Sequence, residues 1–350
     1  MIGPRQIFAG WRGLWRFWLM VAILLAGSGV LLRLAGPPAP PAQHQVIAQA
    51  PPKAANSQPQ IKPVVPEPVK VPAQRPGRDT PGPIADPDPA LLEPVAGSAT
   101  DRLPRVSSDQ RMPMQVYAAA FDSSSRRPRV GLLLAGIGLN QADSEAAIRA
   151  LPGGITLAVS PYALNTEKLL AVARAAEHEY LVSIPMEPQG FPLNDPGRQA
   201  LMTSLAPEQN QSRLDWALSR IAGYAGATGA EAGLRGERYA SLTAEMRQVL
   251  AELAGRGLLY IDPRPGALPL PLVWSRAVDI VIDEPATAID IDDKLAKLVK
   301  LAREKGSALG LAGPVRPVTV QRLAVWANTL AVDGVALAPV SALVHPPAAR

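Results

Sequence analysis

Between residues 130 and 338 the sequence alternates short, unbroken apolar runs with amphipathic stretches, and this alternation limits the fold more than any other feature. The run VGLLLAGIG (130–138) ends on glycines and reads as a strand buried on both faces. A helix is expected over 141–150, a strand in ITLAVSP (155–161), a helix over 166–176 and a strand in YLVSIP (180–185). Helical periodicity returns over 213–222 and 242–256, and GLLYID (257–262) follows as a strand. Further strands are expected over 278–282, 308–312 and 335–338, with helices over 289–305 and 318–328. Strands that alternate with helices require right-handed crossovers and a parallel sheet. The series predicts an α/β fold, a distorted (β/α) barrel. In such a barrel the chemistry gathers at the C-terminal ends of the strands. That points to residues 135–140, 160–163, 183–190, 228–238, 262–267, 283–286 and 312–316.

Composition then removes whole classes of function. The chain has no cysteine, which excludes disulfides, thiol nucleophiles and thiolate metal sites. It has three histidines, His44, His178 and His345, although imidazole is the commonest general base and transition-metal ligand. The net charge is +5, but no block of Lys and Arg is interleaved with aromatics, and aromatics are only 5% of the residues. Nucleic acid is therefore not an expected partner.

The first 35 residues read as a membrane anchor. Arg5, Arg12 and Arg16 precede an apolar run over 17–32, which Arg33 ends. Snorkelling of Arg16 and Arg33 extends a run that is short for a span. Trp11, Trp15 and Trp18 suit the cytoplasmic interface. Residues 1–16 are then cytoplasmic, 17–35 a single inner-membrane span, and the remainder periplasmic. A cleaved signal peptide is the rival reading. The apolar segment is longer than a usual signal core, and no A-x-A site precedes Arg33. Residues 36–127 follow as an expected disordered linker, since 19 of the 38 prolines fall within 37–127. The expected domain is 128–342, with a tail over 343–350.

The ordered set VGLLLAGIGLN, ITLAVSPYA, SIPMEPQGFP, GLLYIDPRP, VDIVIDE and GLAGPVRPVT resembles the divergent polysaccharide deacetylases, relatives of the NodB-type carbohydrate esterases. The resemblance covers 128–342. It implies a NodB-like distorted (β/α) barrel and a role in carbohydrate metabolism. In active relatives it implies a divalent metal, usually zinc, held by an Asp-His-His set with a carboxylate base, for hydrolysis of an N-acetyl group. This sequence departs from the pattern at each of those places. Ala135 and Gly136 stand where the family has a paired Asp-Asp, and Ser183 where it has a histidine. Gly229 and Ala230 match the Asn-His-Met-Gly-Ser loop, with a residue or two of freedom in the alignment. Gly313 stands at the expected Gly-His-Pro turn. The expectation is an emptied site with no metal cofactor.

Other polar residues at strand ends are Glu187, Asp262, Arg264, Asp279, Asp283 and Glu284. Carboxylates alone suit hard cations better than zinc. Asp262 and Arg264 are equally suited to pairing with each other, Glu187 to holding a loop, and His178 to a structural hydrogen bond. A serine hydrolase on Ser160 or Ser183 lacks both a histidine and a G-x-S-x-G elbow. The stretch IDIDD (289–293) reads as an acidic first helical turn. Two functions remain. One is a catalytically inactive envelope scaffold that binds a glycan or a partner, such as peptidoglycan or a murein hydrolase or its activator. The other is a hydrolase of an envelope polysaccharide built on carboxylates, with Asp262, Asp283 and Glu187 as candidates.

Overall fold

The computed structural model describes residues 18–21, 75–95, 97–268 and 270–347. Of the expected anchor, residues 18–21 are described and are helical. The rest of 17–35, and residues 36–74 of the expected linker, lie outside the described residues. Among the described residues no helix is long and apolar enough to cross a membrane. The chain divides into two compact units, 1–64 and 65–350, and the second holds the strands and helices of the expected barrel.

Nine parallel strands form one curled sheet. They are β3 (Arg129–Ile137), β4 (Thr156–Val159), β5 (Tyr180–Ser183), β6 (Gly226–Thr228), β7 (Leu259–Asp262), β8 (Ser275–Ala277), β9 (Ile280–Val281), β10 (Ser307–Ala312) and β11 (Ala336–Leu337). Their order is β8-β7-β6-β5-β4-β3-β10-β9, with β11 added beside the start of β3. The central strand β3 pairs Leu133 with Thr156 of β4 and Gly131 with Leu309 of β10. The two sheet edges meet through one short segment. β8 pairs with β7, and β9, two residues further on, pairs with β10. Between them the Val278 amide donates to Asp262 of β7, and the Asp279 amide donates to Leu309 of β10.

Alternation along β3 shows why the runs are apolar throughout. Leu132 and Leu134 pack outward with the helix side chains, and Leu133 and Ala135 pack into the barrel with Leu181, Leu259, Ile261, Leu309 and Leu311. The covering helices are α2 (Gln141–Ala150), α3 (Thr166–Ala175), α4 (Pro207–Ser219), α6 (Thr243–Gly255), α7 (Ala288–Lys305) and α8 (Pro317–Thr329), with short α1 (Pro113–Val116) and α5 (Glu237–Ala240). Local chemistry sets their ends. Asn140 caps α2 by accepting from the Asp143 amide, and Thr287 caps α7 by accepting from the Asp290 amide. Gly306 closes α7 at φ 82°. Asp290 thus lies in the first turn of α7, as the IDIDD stretch implies.

The expected disordered linker is corrected over 75–95 and 97–127. These residues are folded onto the barrel, with β1 (Leu92–Pro94) paired to β2 (Arg102–Pro104). Leu91, Met112, Met114 and Tyr117 are buried against the inner layer, with Leu181 and Leu259. The Met114 amide donates to the Gly257 carbonyl just before β7. The segment therefore closes the N-terminal end of the barrel. Its prolines hide this, because they prevent periodic structure without preventing burial. The expected tail is corrected too. Leu343 and Val344 are buried, and His345 exchanges two backbone hydrogen bonds with Ser275.

Candidate functional site

With one end of the barrel closed, the strands' C-terminal ends form the open face. β3 carries a bulge there, a register shift against β4 between Ala135 and Ile137, and Gly136 takes φ 87°. A Cβ at Gly136 would lie 3.4 Å from both Ala232 Cα and Pro314 Cα. A Cβ at Gly313 would lie 2.7 Å from the Ala135 carbonyl oxygen. Backbone therefore fills the space beside both positions.

The filling loop follows β6. Ala230 is buried in the inner layer. Glu231 and Leu234 exchange two backbone hydrogen bonds, so 231–234 is a tight hairpin. Its tip holds Ala232 at φ 52°, a conformation in which an L side chain is strained. The hairpin turns Glu231 into a cleft of about 930 Å3 lined also by Leu139, Tyr162, Asp195, Arg198, Trp216 and Leu234. Glu231 is 6% exposed, and its Oε2 has no hydrogen-bond partner. Burial pushes its carboxyl up to about 7, against the opposing effect of the Ser160 and Ser183 hydroxyls. Ser183 Oγ lies close enough to act on the carboxyl, yet it is in hydrogen-bonding geometry with no partner. Ser160 Oγ accepts from the Tyr162 amide at 3.2 Å.

One wall is aromatic. The Tyr162 and Trp216 ring centroids are 5.2 Å apart at an interplanar angle of 45°. The Tyr162 hydroxyl accepts from the Gln199 amide at 3.1 Å, which fixes the ring against the loop over 190–200. Arg220 lies over the Trp216 ring, 5.8 Å from its centroid. Tyr162 follows β4 and Trp216 belongs to α4, so both rings stand on the barrel frame.

The carboxylates singled out from the sequence are all engaged elsewhere. Asp262 Oδ1 accepts from Arg264 Nε at 2.9 Å, and Oδ2 accepts from Nη2 at 2.7 Å. Both oxygens of Asp283 accept from the Gly313 amide at 3.1 Å, and Oδ2 also accepts from Thr319 and Arg316. Burial pushes the Asp283 carboxyl up, and those donors oppose it. Glu187 accepts from the Thr203 amide at 2.6 Å and pairs with Arg238 at 3.0 Å, tying the cleft loop to α5. Asp279 pairs with Arg276, and Glu284 with Arg235. His178 is buried between the Ile155 and Ile148 carbonyls.

Ala135, Gly136, Ser183, Ala230 and Gly313 do converge on this face. What they bring is one hydroxyl and backbone. With Ser160 and Glu231 added, the set holds two hydroxyls and one carboxyl and has no imidazole. Among the described residues no group of three His, Cys, Asp or Glu is placed to hold a metal ion. The donor set does not fit a zinc ion, which takes nitrogen, sulfur or several carboxylate ligands. The residues that sequence reasoning passed over are Glu231, Tyr162 and Trp216. The one signal for Glu231 was a lone acid in the Gly- and Ala-rich stretch YAGATGAEAG.

The sequence model of the divergent polysaccharide deacetylases matches residues 132–344. No curated protein matches the chain. An uncharacterized protein of Agrobacterium tumefaciens has a solved structure that is similar to this one. It is 29% identical, with 70% of this chain and 100% of that chain covered, at a TM-score of 0.65. More distant is a family 4 carbohydrate esterase from Streptomyces lividans, solved in complex with acetate. It is 16% identical over 64% of this chain and 100% of that one, at a TM-score of 0.41.

Proposed function

The chain belongs to the divergent polysaccharide deacetylase family, and from that premise we propose that it binds a glycan and does so without metal-assisted deacetylation. The observation that carries this reading is the Tyr162–Trp216 pair on the wall of an open cleft at the strands' C-terminal ends. The apolar faces of pyranose rings pack on aromatic rings, and such rings retain a wet edge for hydroxyl groups. The cleft is large enough for more than one sugar ring. The family's reaction needs a metal with an open position and a base. Ala135, Gly136, Ser183, Ala230 and Gly313 supply neither.

The same reading puts the domain in the cell envelope. Arg5, Arg12 and Arg16 before the apolar run 17–32 of the expected span 17–35 keep the N-terminus inside and export the rest. Peptidoglycan strands are then the nearest glycan, and a murein hydrolase or its activator the nearest protein partner.

Titration of the full chain with a chitin tetrasaccharide tests the proposal. Saturable binding that Trp216→Ala weakens about tenfold, the worth of roughly 1.4 kcal/mol, supports it. Binding that ignores Trp216, or no binding, overturns it.

A further inference from the structure

We propose that Glu231, with Ser183 beside it, is the polar anchor of this cleft, and that it selects an uncharged oxygen function of a glycan over an anionic one. The inference rests on the glycan reading and names the chemistry of the cleft floor. Glu231, which lines the cleft, has an Oε2 without a hydrogen-bond partner, and Ser183 Oγ, near enough to act on the same carboxyl, has none in hydrogen-bonding geometry either. The residues carrying them are 6% and 0% exposed. An unsatisfied buried polar atom is costly, and native structures keep few of them unless something else completes the bonds. Glu231 lines the cleft beside Leu139, Ala232 and Leu234, with Tyr162, Asp195 and Arg198 also in its lining.

A sugar hydroxyl satisfies both atoms at once. A protonated carboxyl donates one hydrogen bond and keeps acceptor capacity, and a serine hydroxyl does both. The ligand oxygen then accepts from Glu231 and gives its own proton to Ser183. An amide oxygen meets the first half of that pattern. A sugar carboxylate also accepts, but its charge would have to leave water to reach a side chain that is itself buried.

The other titratable and charged groups around Glu231 come from several elements. Tyr162 follows β4, and Asp195 and Arg198 lie on the loop across the cleft. Arg235 and Glu237 follow the hairpin and pair with each other, and Arg235 also pairs with Glu284. Asp283 and Arg316 pair behind Gly313. Burial, more than any of these charges, holds the Glu231 proton on up to about pH 7. Binding that needs the proton is therefore strong below that pH and falls above it.

Isothermal titration of the full chain in detergent tests this, with a chitin tetrasaccharide as the neutral probe and a galacturonate tetrasaccharide as the anionic one. The wild type is expected to bind the neutral probe roughly thirtyfold more weakly at about pH 8.5 than at about pH 6, as the protonated fraction falls. Glu231→Gln, which keeps a donor that does not titrate, flattens that profile. Glu231→Ala weakens binding at both pH values, and the anionic probe binds the wild type less well throughout. If Glu231→Ala and Glu231→Gln both keep the wild-type affinity and profile while Trp216→Ala weakens binding about tenfold, the anchor is overturned and the glycan reading survives. If the wild type binds neither probe, both fall.

Discussion

Arg264 grips both carboxylate oxygens of Asp262 from two residues away, Nε on Oδ1 at 2.9 Å and Nη2 on Oδ2 at 2.7 Å. The Arg264 amide adds a third bond to Oδ1 at 3.0 Å. A bidentate pair of this kind fixes the turn after β7 and engages both carboxylate oxygens. Removing the cation would strand a charge on a residue that is 1% exposed. Arg264→Ala is therefore expected to lower the unfolding free energy by roughly 3 kcal/mol, measured in urea, with glycan affinity unchanged.

The closed end of the barrel depends on Glu179. Its carboxylate accepts from the Ala119 amide at 2.9 Å, Thr156 Oγ1 at 2.8 Å, the Ser341 amide at 3.0 Å and Ser341 Oγ at 2.6 Å. Burial pushes this carboxyl up, and the four donors oppose the shift. Glu179→Gln would turn an N–H toward donors that need an acceptor. The expected loss is roughly 3 kcal/mol, read from the denaturation midpoint.

A chain that begins at residue 128 would lose Leu91, Met112, Met114 and Tyr117 from the barrel floor. At about 1.5–3 kcal/mol for each buried apolar side chain, the loss rivals the whole stability of a typical domain. Such a chain is expected to aggregate or to bind a hydrophobic dye. A chain over 75–350 is expected to melt cooperatively. Thermal unfolding of the two distinguishes them.

Glu231 makes stability depend on pH. Its folded pKa is raised from the ordinary 4.5 to about 7, so the folded state binds the proton more tightly. That contribution is complete below about pH 4.5 and is lost progressively as pH rises through about 7. The full span is worth roughly 3 kcal/mol. Glu231→Gln removes the dependence, and its advantage over the wild type should grow from about pH 5 to about pH 8. Parallel denaturation curves at the two values read this directly.

Much of the fold was legible because strands buried on both faces write themselves as unbroken apolar runs. The segments that became β3, β4, β5, β7 and β10 were all expected within a few residues. β6 escaped notice because Gly226–Thr228 is short and small, with no apolar run to mark it. β8 escaped because Ser275–Ala277 carries an arginine and is held by its neighbours rather than by its own pattern. The folded part of the expected linker was masked by prolines, since Leu91, Met112 and Tyr117 are buried without any period. The site divides in the same way. The positions Ala135, Gly136 and Gly313 could be named from the sequence, and the structure brings them together beside the hairpin. Glu231 could not, because its burial comes from a hairpin folding over Gly136 and Gly313, contacts distant in sequence. Tyr162 and Trp216 are distant in sequence, and α4 packs on β5, the strand paired with β4, which brings their rings together.

The most direct test of the central claim is acetate release from a chitin tetrasaccharide by the full chain with zinc supplied. The expected result is no acetate above the protein-free control, from a protein that nonetheless binds the sugar. Zinc-dependent acetate release that a chelator abolishes would contradict the claim.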